Sequence, residues 1–234
     1  MTKIFISCDQ HIPLHDKKTL KLTEDFIKDE KPDVIIFNGD FLDGYDASSF
    51  PKDPRNKKRL VDEIRIGKKY LEHINTISKA RKILIWGNHE NRVNKFLLKK
   101  APEMIDFVCL KILLQTDGWE MIAESDVENY IKINKIFVGH FNRVNKHSAM
   151  TAKNLVLDKG VSIIQAHTHR LGSFYIRTLN GTLRGFEGGC MCKLNPSYMN
   201  FPNWQQGFIF IENKNVYQIE IIKHSFTWHG KVYK

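Results

Sequence analysis

The sequence predicts an α/β fold in which buried strands alternate with helices. Short apolar runs rich in β-branched residues recur, as at residues 34–37, and continuous runs of that length are typical of strands covered on both faces. The longer stretches between them carry apolar residues at helical spacing, for example Leu60, Ile64 and Leu71. The chain has 234 residues, 42% of them hydrophobic, and we expect a single domain over residues 1–234 with one core.

Each element follows in chain order from its own local pattern. Strands are predicted at residues 3–7, 34–37, 83–86, 136–138 and 161–164, all short apolar runs. Helices are predicted from the N-cap Asp16 to Lys31-Pro32, over 60–77, over 93–114 with an interruption at Ala101-Pro102, and from the N-cap Ser148 to Lys159-Gly160.

The remaining segments are predicted to be a loop and a C-terminal group of antiparallel strands. Residues 41–56 contain Gly44, Pro51 and Pro54 and are expected to form a loop. After Arg170 apolar and polar residues alternate. This alternation predicts strands at 173–177, 182–186, 207–212 and 216–222, with Asn180-Gly181 as a hairpin turn.

Composition limits the class of protein and its partners. The N-terminal residues lack the layout of a signal peptide, and no apolar run approaches the roughly 20 residues of a membrane span, so we expect a cytoplasmic protein without a membrane segment. The cysteines are expected to be free thiols: Cys8, Cys109, Cys190 and Cys192. A net charge of +10 favours polyanions such as DNA or RNA as partners, although many basic proteins bind none.

Polar side chains that can bind metals follow each of the first five predicted strands. In order they are Asp9 and His11, Gly39-Asp40, Gly87-Asn88-His89-Glu90, Gly139-His140, and His167-Thr168-His169. Ligands bind beyond the carboxyl ends of the strands in open α/β sheets, so we expect the five groups to meet at one edge of the sheet. One such residue alone is more typical of a turn or cap, but the five together indicate a site.

The residue types indicate a site for divalent metal ions. Carboxylates, imidazoles and a side-chain amide suit Mn, Fe or Zn, and no thiolate obviously belongs to the set. The spacing of Asp9 with His11, and of His167 with His169, lets both side chains of a pair leave an extended segment on the same side. Each pair can therefore hold one ion or lie between two.

The order of these motifs closely resembles that of the calcineurin-like metallophosphoesterase superfamily, in its small single-domain bacterial and phage form. The resemblance spans residues 9–169 and rests on Asp9-x-His11, Gly39-Asp40-x-x-Asp43, Gly87-Asn88-His89-Glu90, Gly139-His140 and Ala166-His167-Thr168-His169. Ala166 replaces the usual glycine, which is a small change. The resemblance implies two packed β-sheets flanked by helices, a four-layer α/β/β/α sandwich.

The resemblance also implies a role for each site residue. One metal ion would be held by Asp9, His11 and His169, a second by Asn88, His140 and His167, and both by the bridging Asp40. Mn is the expected metal, with Fe, Zn, Ni and Mg as alternatives. A hydroxide shared by the ions would attack phosphorus in line, with His89 as general acid and Asp43 as the residue that orients His89. The alternative for Asp43 is a turn residue before Gly44.

The substrate is less closely constrained. Asp43 is followed by Gly44 and not by the Arg-Gly of the protein phosphatase branch, which argues against phosphoproteins. Arg92 and Arg143 are candidates for binding phosphate, with a solvated helix-start arginine as the alternative for Arg92. Further basic residues are Lys52, Arg55, Lys57, Lys58, Arg59, Arg65, Lys68, Lys69 and Lys146. They suit either a nucleic-acid backbone or a solvated helix face.

We therefore expect a phosphodiesterase or nuclease that acts on nucleic acid or nucleotides. Aromatic residues near the C-terminus could stack bases or pack a sheet edge: Tyr198, Phe201, Trp204 and Trp228. A phosphomonoesterase for a small metabolite or phosphoprotein is the alternative, because the same metals serve both reactions. A basic binding module without activity is a third hypothesis, and the intact ligand set with His89 argues against it.

Overall fold

Two packed β-sheets flanked by helices form most of the protein, beside a small two-stranded sheet, and this architecture confirms the fold class. The computed structural model describes residues 2–52, 59–123, 129–196 and 199–234. Its helices are α1 (Lys17–Glu30), α2 (Leu60–Ile77), α3 (Asn88–Lys100), α4 (Leu110–Leu114) and α5 (Met150–Lys159). Its strands are β1 (Lys3–Ser7), β2 (Val34–Asn38), β3 (Arg81–Ile85), β4 (Trp119–Ile122), β5 (Tyr130–Ile133), β6 (Ile136–Gly139), β7 (Ser162–Gln165), β8 (Leu171–Thr178), β9 (Gly181–Gly188), β10 (Gly207–Glu212), β11 (Asn215–Glu220), β12 (Phe226–Trp228) and β13 (Lys231–Tyr233).

The first sheet has the strand order β11-β10-β1-β2-β3-β4. Strands β1 to β4 are parallel to one another, whereas β10 is antiparallel to both of its neighbours, β1 and β11. Alternate residues of β1 point to opposite faces. Phe5 packs among the helix-side residues, whereas Ile4 and Ile6 pack between the two sheets. Both faces are covered, which is why these strands are continuous apolar runs.

The second sheet has the order β5-β6-β7-β9-β8, in which β6, β7 and β9 run parallel. Its residues Val138, Ile164 and Phe186 meet the isoleucines of the first sheet in a shared inner layer. Helix α5 covers the outer face through Leu155 and Val156. Helices α1 and α2 cover the outer face of the first sheet, which gives the four layers α/β/β/α.

Most of the predicted elements are found, with shifted boundaries. Helix α2 has the bounds predicted, and Asp16 caps α1 by accepting hydrogen bonds from Lys18 N and Thr19 N. The hairpin between β8 and β9 turns one residue earlier than predicted, because Thr178 already pairs with Gly181. The predicted loop holds a short 3-10 turn at Tyr45–Ala47, and its end at residues 53–56 lies outside the described residues. Four short strands were not predicted: β4, β5, β12 and β13.

The predicted N-cap Ser148 is wrong. Its hydroxyl donates to Leu171 O, and α5 begins two residues later with Ala149 at the cap position. The second and third backbone amides of the helix, Thr151 N and Ala152 N, donate instead to the buried carboxylate of Glu187 on β9. A long-range carboxylate thus supplies the cap that a local hydroxyl was expected to supply.

None of the helices in the described ranges is both long enough and apolar enough to cross a membrane.

Candidate metal centre

The five motif groups meet at one place, but they come from two sheets and not from one sheet edge as predicted. Three groups follow β1, β2 and β3 of the first sheet, and two follow β6 and β7 of the second. The groups are also joined directly. His11 N donates to Asp40 O at 2.9 Å, and His167 N donates to the carboxylate of Asp9 at 3.0 Å. The packing of two sheets therefore brings five strand ends together at one site.

One half of the site, here called the first half-site, consists of Asp9, His11 and His169. The two imidazoles face each other with 3.0 Å between their Nε2 atoms, and Asp9 Oδ1 lies 3.3 Å from His169 Nε2 and 4.0 Å from His11 Nε2. All three residues are buried. Their three donor atoms point to one position.

The second half-site consists of Asn88, His140 and His167. His140 Nε2 lies 3.0 Å from Asn88 Oδ1 and 3.1 Å from His167 Nδ1. His140 is buried, whereas Asn88 and His167 are half-buried.

Asp40 lies between the two half-sites. Its Oδ2 atom is 3.8 Å from His11 Nε2 on one side and 3.3 Å from His140 Nε2 on the other. A single proton on His140 Nε2 could satisfy only one of the three acceptors around it, whereas a divalent cation satisfies all of them. The oxygen and nitrogen donors, in two clusters that share a carboxylate, therefore fit two divalent ions.

The electrostatics of the site favour cations. Burial alone would raise the pKa of Asp40, but the imidazoles of His140 and His89 hold it well below its usual range. Burial lowers the pKa of His140 and His169, but the carboxylates of Asp40 and Asp9 outweigh it and raise the values to about 9 and about 10. Burial lowers the pKa of His167 to about 4, so this imidazole stays neutral. The two carboxylates thus favour positive charge at this buried site.

The backbone of the site is strained. Five of the seven candidate ligands have φ in the left-handed region: Asp9 (52°), His11 (50°), Asp40 (47°), His167 (72°) and His169 (57°). Each such residue costs on the order of 1–3 kcal/mol, and this strain is typical of functional sites. Gly39 and Gly87 approach the ligands so closely that a side chain at either position would collide with His140 or Asp40.

His89 lies at the same carboxylate and belongs to neither half-site. Its Nε2 is 3.5 Å from Asp40 Oδ2, and its Nδ1 is 2.6 Å from the backbone carbonyl of Asp43. The Asp43 carboxylate is 3.9 Å from His89 Nδ1 and only 3.5 Å from His11 Nδ1. Asp43 thus contacts His89 through its main chain, and its side chain lies closer to His11. Burial lowers the pKa of His89 to about 3.

Two candidate phosphate-binding arginines have different surroundings. Arg92 Nη1 lies 3.2 Å from His89 Nδ1, at the site. Arg143 is exposed and forms an ion pair with Asp158 on α5, so it would have to leave that partner to bind phosphate.

The other basic residues are only partly described. Arg65 pairs with Asp62 on the exposed face of α2, as expected for a solvated helix face. Lys52 donates to the backbone oxygens of Tyr45 and Ser48. Arg55, Lys57 and Lys58 lie outside the described residues.

The aromatic residues that were candidates for stacking bases also differ in their surroundings. Trp204 packs against His169, with 4.2 Å between the ring centroids, whereas Trp228 belongs to the helix-side core. Phe201 is fully exposed, and Tyr198 lies outside the described residues.

Two residues at the site received no role from the sequence. The buried Glu90 accepts hydrogen bonds from Gly87 N, Asp40 N and Leu42 N at 2.8–3.0 Å, and so ties the loops after β2 and β3 together. Its position in Gly-Asn-His-Glu, at the start of a helix, is a signal that could have indicated this role. Cys192 Sγ lies 3.7 Å from His169 Nδ1, and no local pattern indicated this contact. All four cysteines are free, as predicted.

Comparison with known proteins gives a family and a fold. A sequence model described as calcineurin-like phosphoesterase matches residues 4–173. The "Gene 54 protein" of Mycobacterium phage L5 is 27% identical over 255 residues, which cover 99% of this chain and 98% of that protein. The protein of the same description from Mycobacterium phage D29 is 28% identical over 181 residues, which cover 73% and 70%.

Among solved structures, a single mutant of Vps29 from Entamoeba histolytica has a similar fold. The TM-score is 0.50 at 12% identity, with 97% of this chain and 96% of that chain covered. At this identity the similarity shows the fold alone.

Proposed function

The chain belongs to the calcineurin-like phosphoesterase family, and from this premise we propose that it hydrolyses phosphodiesters in nucleic acid or nucleotides. Membership implies a metal-dependent phosphoester hydrolase. The observation that carries the proposal is the position of one atom, Asp40 Oδ2. It lies within 3.8 Å of imidazole nitrogens from both half-sites and 3.5 Å from His89 Nε2. Two cation positions and a proton donor therefore share one carboxylate.

The residues of the first half-site, with Asp40, would hold one divalent ion, and those of the second half-site, again with Asp40, would hold the other. Two divalent ions, Mn²⁺ in our proposal, would supply polarisation of the phosphoryl group and activation of the attacking water. Glu90 keeps the Asp40 loop against the start of α3, so that both half-sites keep their spacing.

His89 is the proposed general acid. Its Nδ1–H donates to the carbonyl of Asp43, which fixes the ring and leaves Nε2 directed at the site. Nε2 carries a proton only in the imidazolium form, and an anionic phosphate group stabilises that form against the effect of burial. The proton on Nε2 then goes to the departing alkoxide oxygen.

The net charge of the chain and the residues around its second and third motifs support diesters and nucleic acid as substrates. The chain carries a net charge of +10, and Arg92 lies beside His89, where it can bind a phosphate oxygen. Gly44 stands where the protein phosphatase branch has arginine. A single domain over residues 1–234 stays a prediction. Cytoplasmic location stays a prediction.

The test compares the hydrolysis of several substrates by the wild-type protein and by two histidine variants at a fixed Mn²⁺ concentration. We expect hydrolysis of bis-p-nitrophenyl phosphate and of DNA or RNA. His89→Ala should lower kcat by about 10²–10⁴-fold, as for loss of a general acid, with bound metal unchanged in elemental analysis. His229→Ala is the matched control, because His229 is exposed and packs on Trp228 in the C-terminal hairpin.

A phosphomonoesterase is the second candidate, and the guanidinium of Arg92 beside the proposed acid His89 favours it as well. Arg92 Nη1 at 3.2 Å from His89 suits the additional charge of a monoester. Turnover of p-nitrophenyl phosphate with diesters and nucleic acids untouched would select this candidate. Absence of bound metal and of any hydrolysis would contradict both and favour a binding module.

A further inference from the structure

His169 is held at two positions by residues that lie far from it in sequence. The indole of Trp204 packs on its ring, with 4.2 Å between centroids and an angle of 52° between the planes. The sulfur of Cys192 lies 3.7 Å from its Nδ1, within the range of a hydrogen bond to sulfur. The opposite nitrogen, Nε2, faces Asp9 and His11. Packing on the indole restricts the ring plane, and contact at Nδ1 restricts rotation within that plane.

A histidine that binds a metal through one nitrogen needs a partner at the other. That partner fixes which nitrogen carries the proton and directs the lone pair at the ion, and it is usually a carboxylate, a carbonyl or a water. His11 fits this pattern, since its Nδ1 lies 3.5 Å from the carboxylate of Asp43. At His169 the side chain in the corresponding place among the described residues is a thiol.

The segment around Cys192 is clamped to the strand end that carries the first ligand. Met191 N lies within hydrogen-bonding distance of both Cys8 O and Asp9 O, at 3.1 and 3.2 Å, and Met191 O accepts from Asp16 N. Gln206 Nε2 donates to Cys192 O at 2.9 Å. The Cys192 side chain is almost completely buried.

We propose that Cys192 is a positioning residue of the metal centre, whose sulfur accepts the Nδ1–H of His169 and thereby directs Nε2 into the first half-site. The inference rests on the proposed function, in which His169 is a metal ligand. It adds a sulfur-containing residue to a centre whose direct ligands are all oxygen and nitrogen.

The test measures metal binding without turnover, by titration of metal-free protein with Co²⁺ and recording of its visible absorption. Cys192→Ala should weaken the tighter Co²⁺ site by about 10-fold or more, in the range for loss of an outer partner of a histidine ligand. The visible absorption band of Co²⁺ bound to the Cys192→Ala variant should also shift, because the ligand field changes when His169 reorients. Cys192→Ser keeps an acceptor and should recover most of the affinity.

Cys109→Ala is the control, since Cys109 is also a free thiol but lies at the start of α4. It should leave Co²⁺ affinity and spectrum as in the wild type. If Cys192→Ala fails to fold, Cys192→Val fills the space without an acceptor and must show the same loss.

Wild-type affinity and spectrum in Cys192→Ala or Cys192→Val would overturn this inference and leave the proposed function standing. Failure of the wild-type protein to bind Co²⁺ or Mn²⁺ would overturn the proposed function itself.

Discussion

The two half-sites share Asp40 but differ in charge, burial and support. The first half-site contributes its own carboxylate, Asp9, whereas the second contributes the neutral amide of Asn88. In the first, both histidines have a side chain at Nδ1, and all three residues are buried. In the second, Nδ1 of His140 has no hydrogen-bond partner in the described part of the chain.

This difference predicts unequal affinities. A second carboxylate and fixed imidazoles favour tight binding of a divalent ion, and the half-exposed second half-site should exchange its ion more readily. In the proposed function, the second half-site would then limit activity at low metal concentration. Three changes test this asymmetry.

The largest effect is expected from Asp40→Ala, which removes the atom that both half-sites share. Both ions should be lost, and hydrolysis of bis-p-nitrophenyl phosphate should fall by about 10³-fold or more, since metal ions supply several kcal/mol of transition-state stabilisation. Elemental analysis and steady-state kinetics measure the two losses. Retention of one tightly bound ion would show that a half-site does not need the shared carboxylate.

A smaller effect, confined to one half, is expected from Asp9→Asn. It removes one charge. Two unit charges about 4 Å apart interact by about 4 kcal/mol at an effective dielectric constant of about 20, and a divalent ion interacts more strongly still, so the tighter Mn²⁺ site should weaken by more than about 100-fold. Asn88→Asp is the mirror variant and should strengthen the weaker site. Calorimetric titration gives both affinities, and equal changes at both sites in Asp9→Asn would contradict the assignment of two halves.

The smallest effect is expected from Gly39→Ala. Gly39 has φ 78° and lies against the imidazole of His140. The added methyl group should push that ring and weaken the second site by about 10-fold, besides a strain of about 1–2 kcal/mol. Gly230→Ala is the control, because Gly230 has φ 79° and open space around it. It should share the loss of thermal stability and keep the metal affinity; equal metal affinity in both variants would show that Gly39 does not support His140.

Elements with a strong local pattern were predictable. The bounds of α2, the Asp16 cap and the interruption of the helix after α3 follow from spacing, hydrogen bonding and proline chemistry within a few residues. The cap of α5 was not predictable, because the carboxylate that caps it belongs to Glu187, 36 residues after Thr151 in the sequence. Strand β4 was missed because its pairing with β3, and not its composition, makes it a strand.

The same division holds in the metal centre. The sequence alone determined which residue types follow each strand, because a strand and the turn after it are set by neighbouring residues, and five such turns sufficed to predict a metal-binding site. Tertiary structure decided that the turns come from two sheets, that the Asp43 carbonyl and not its carboxylate contacts His89 most closely, and that Cys192 lies behind His169. These contacts join residues 23 to 158 positions apart, and only the pairing of strands within each sheet and the packing of the two sheets bring them together.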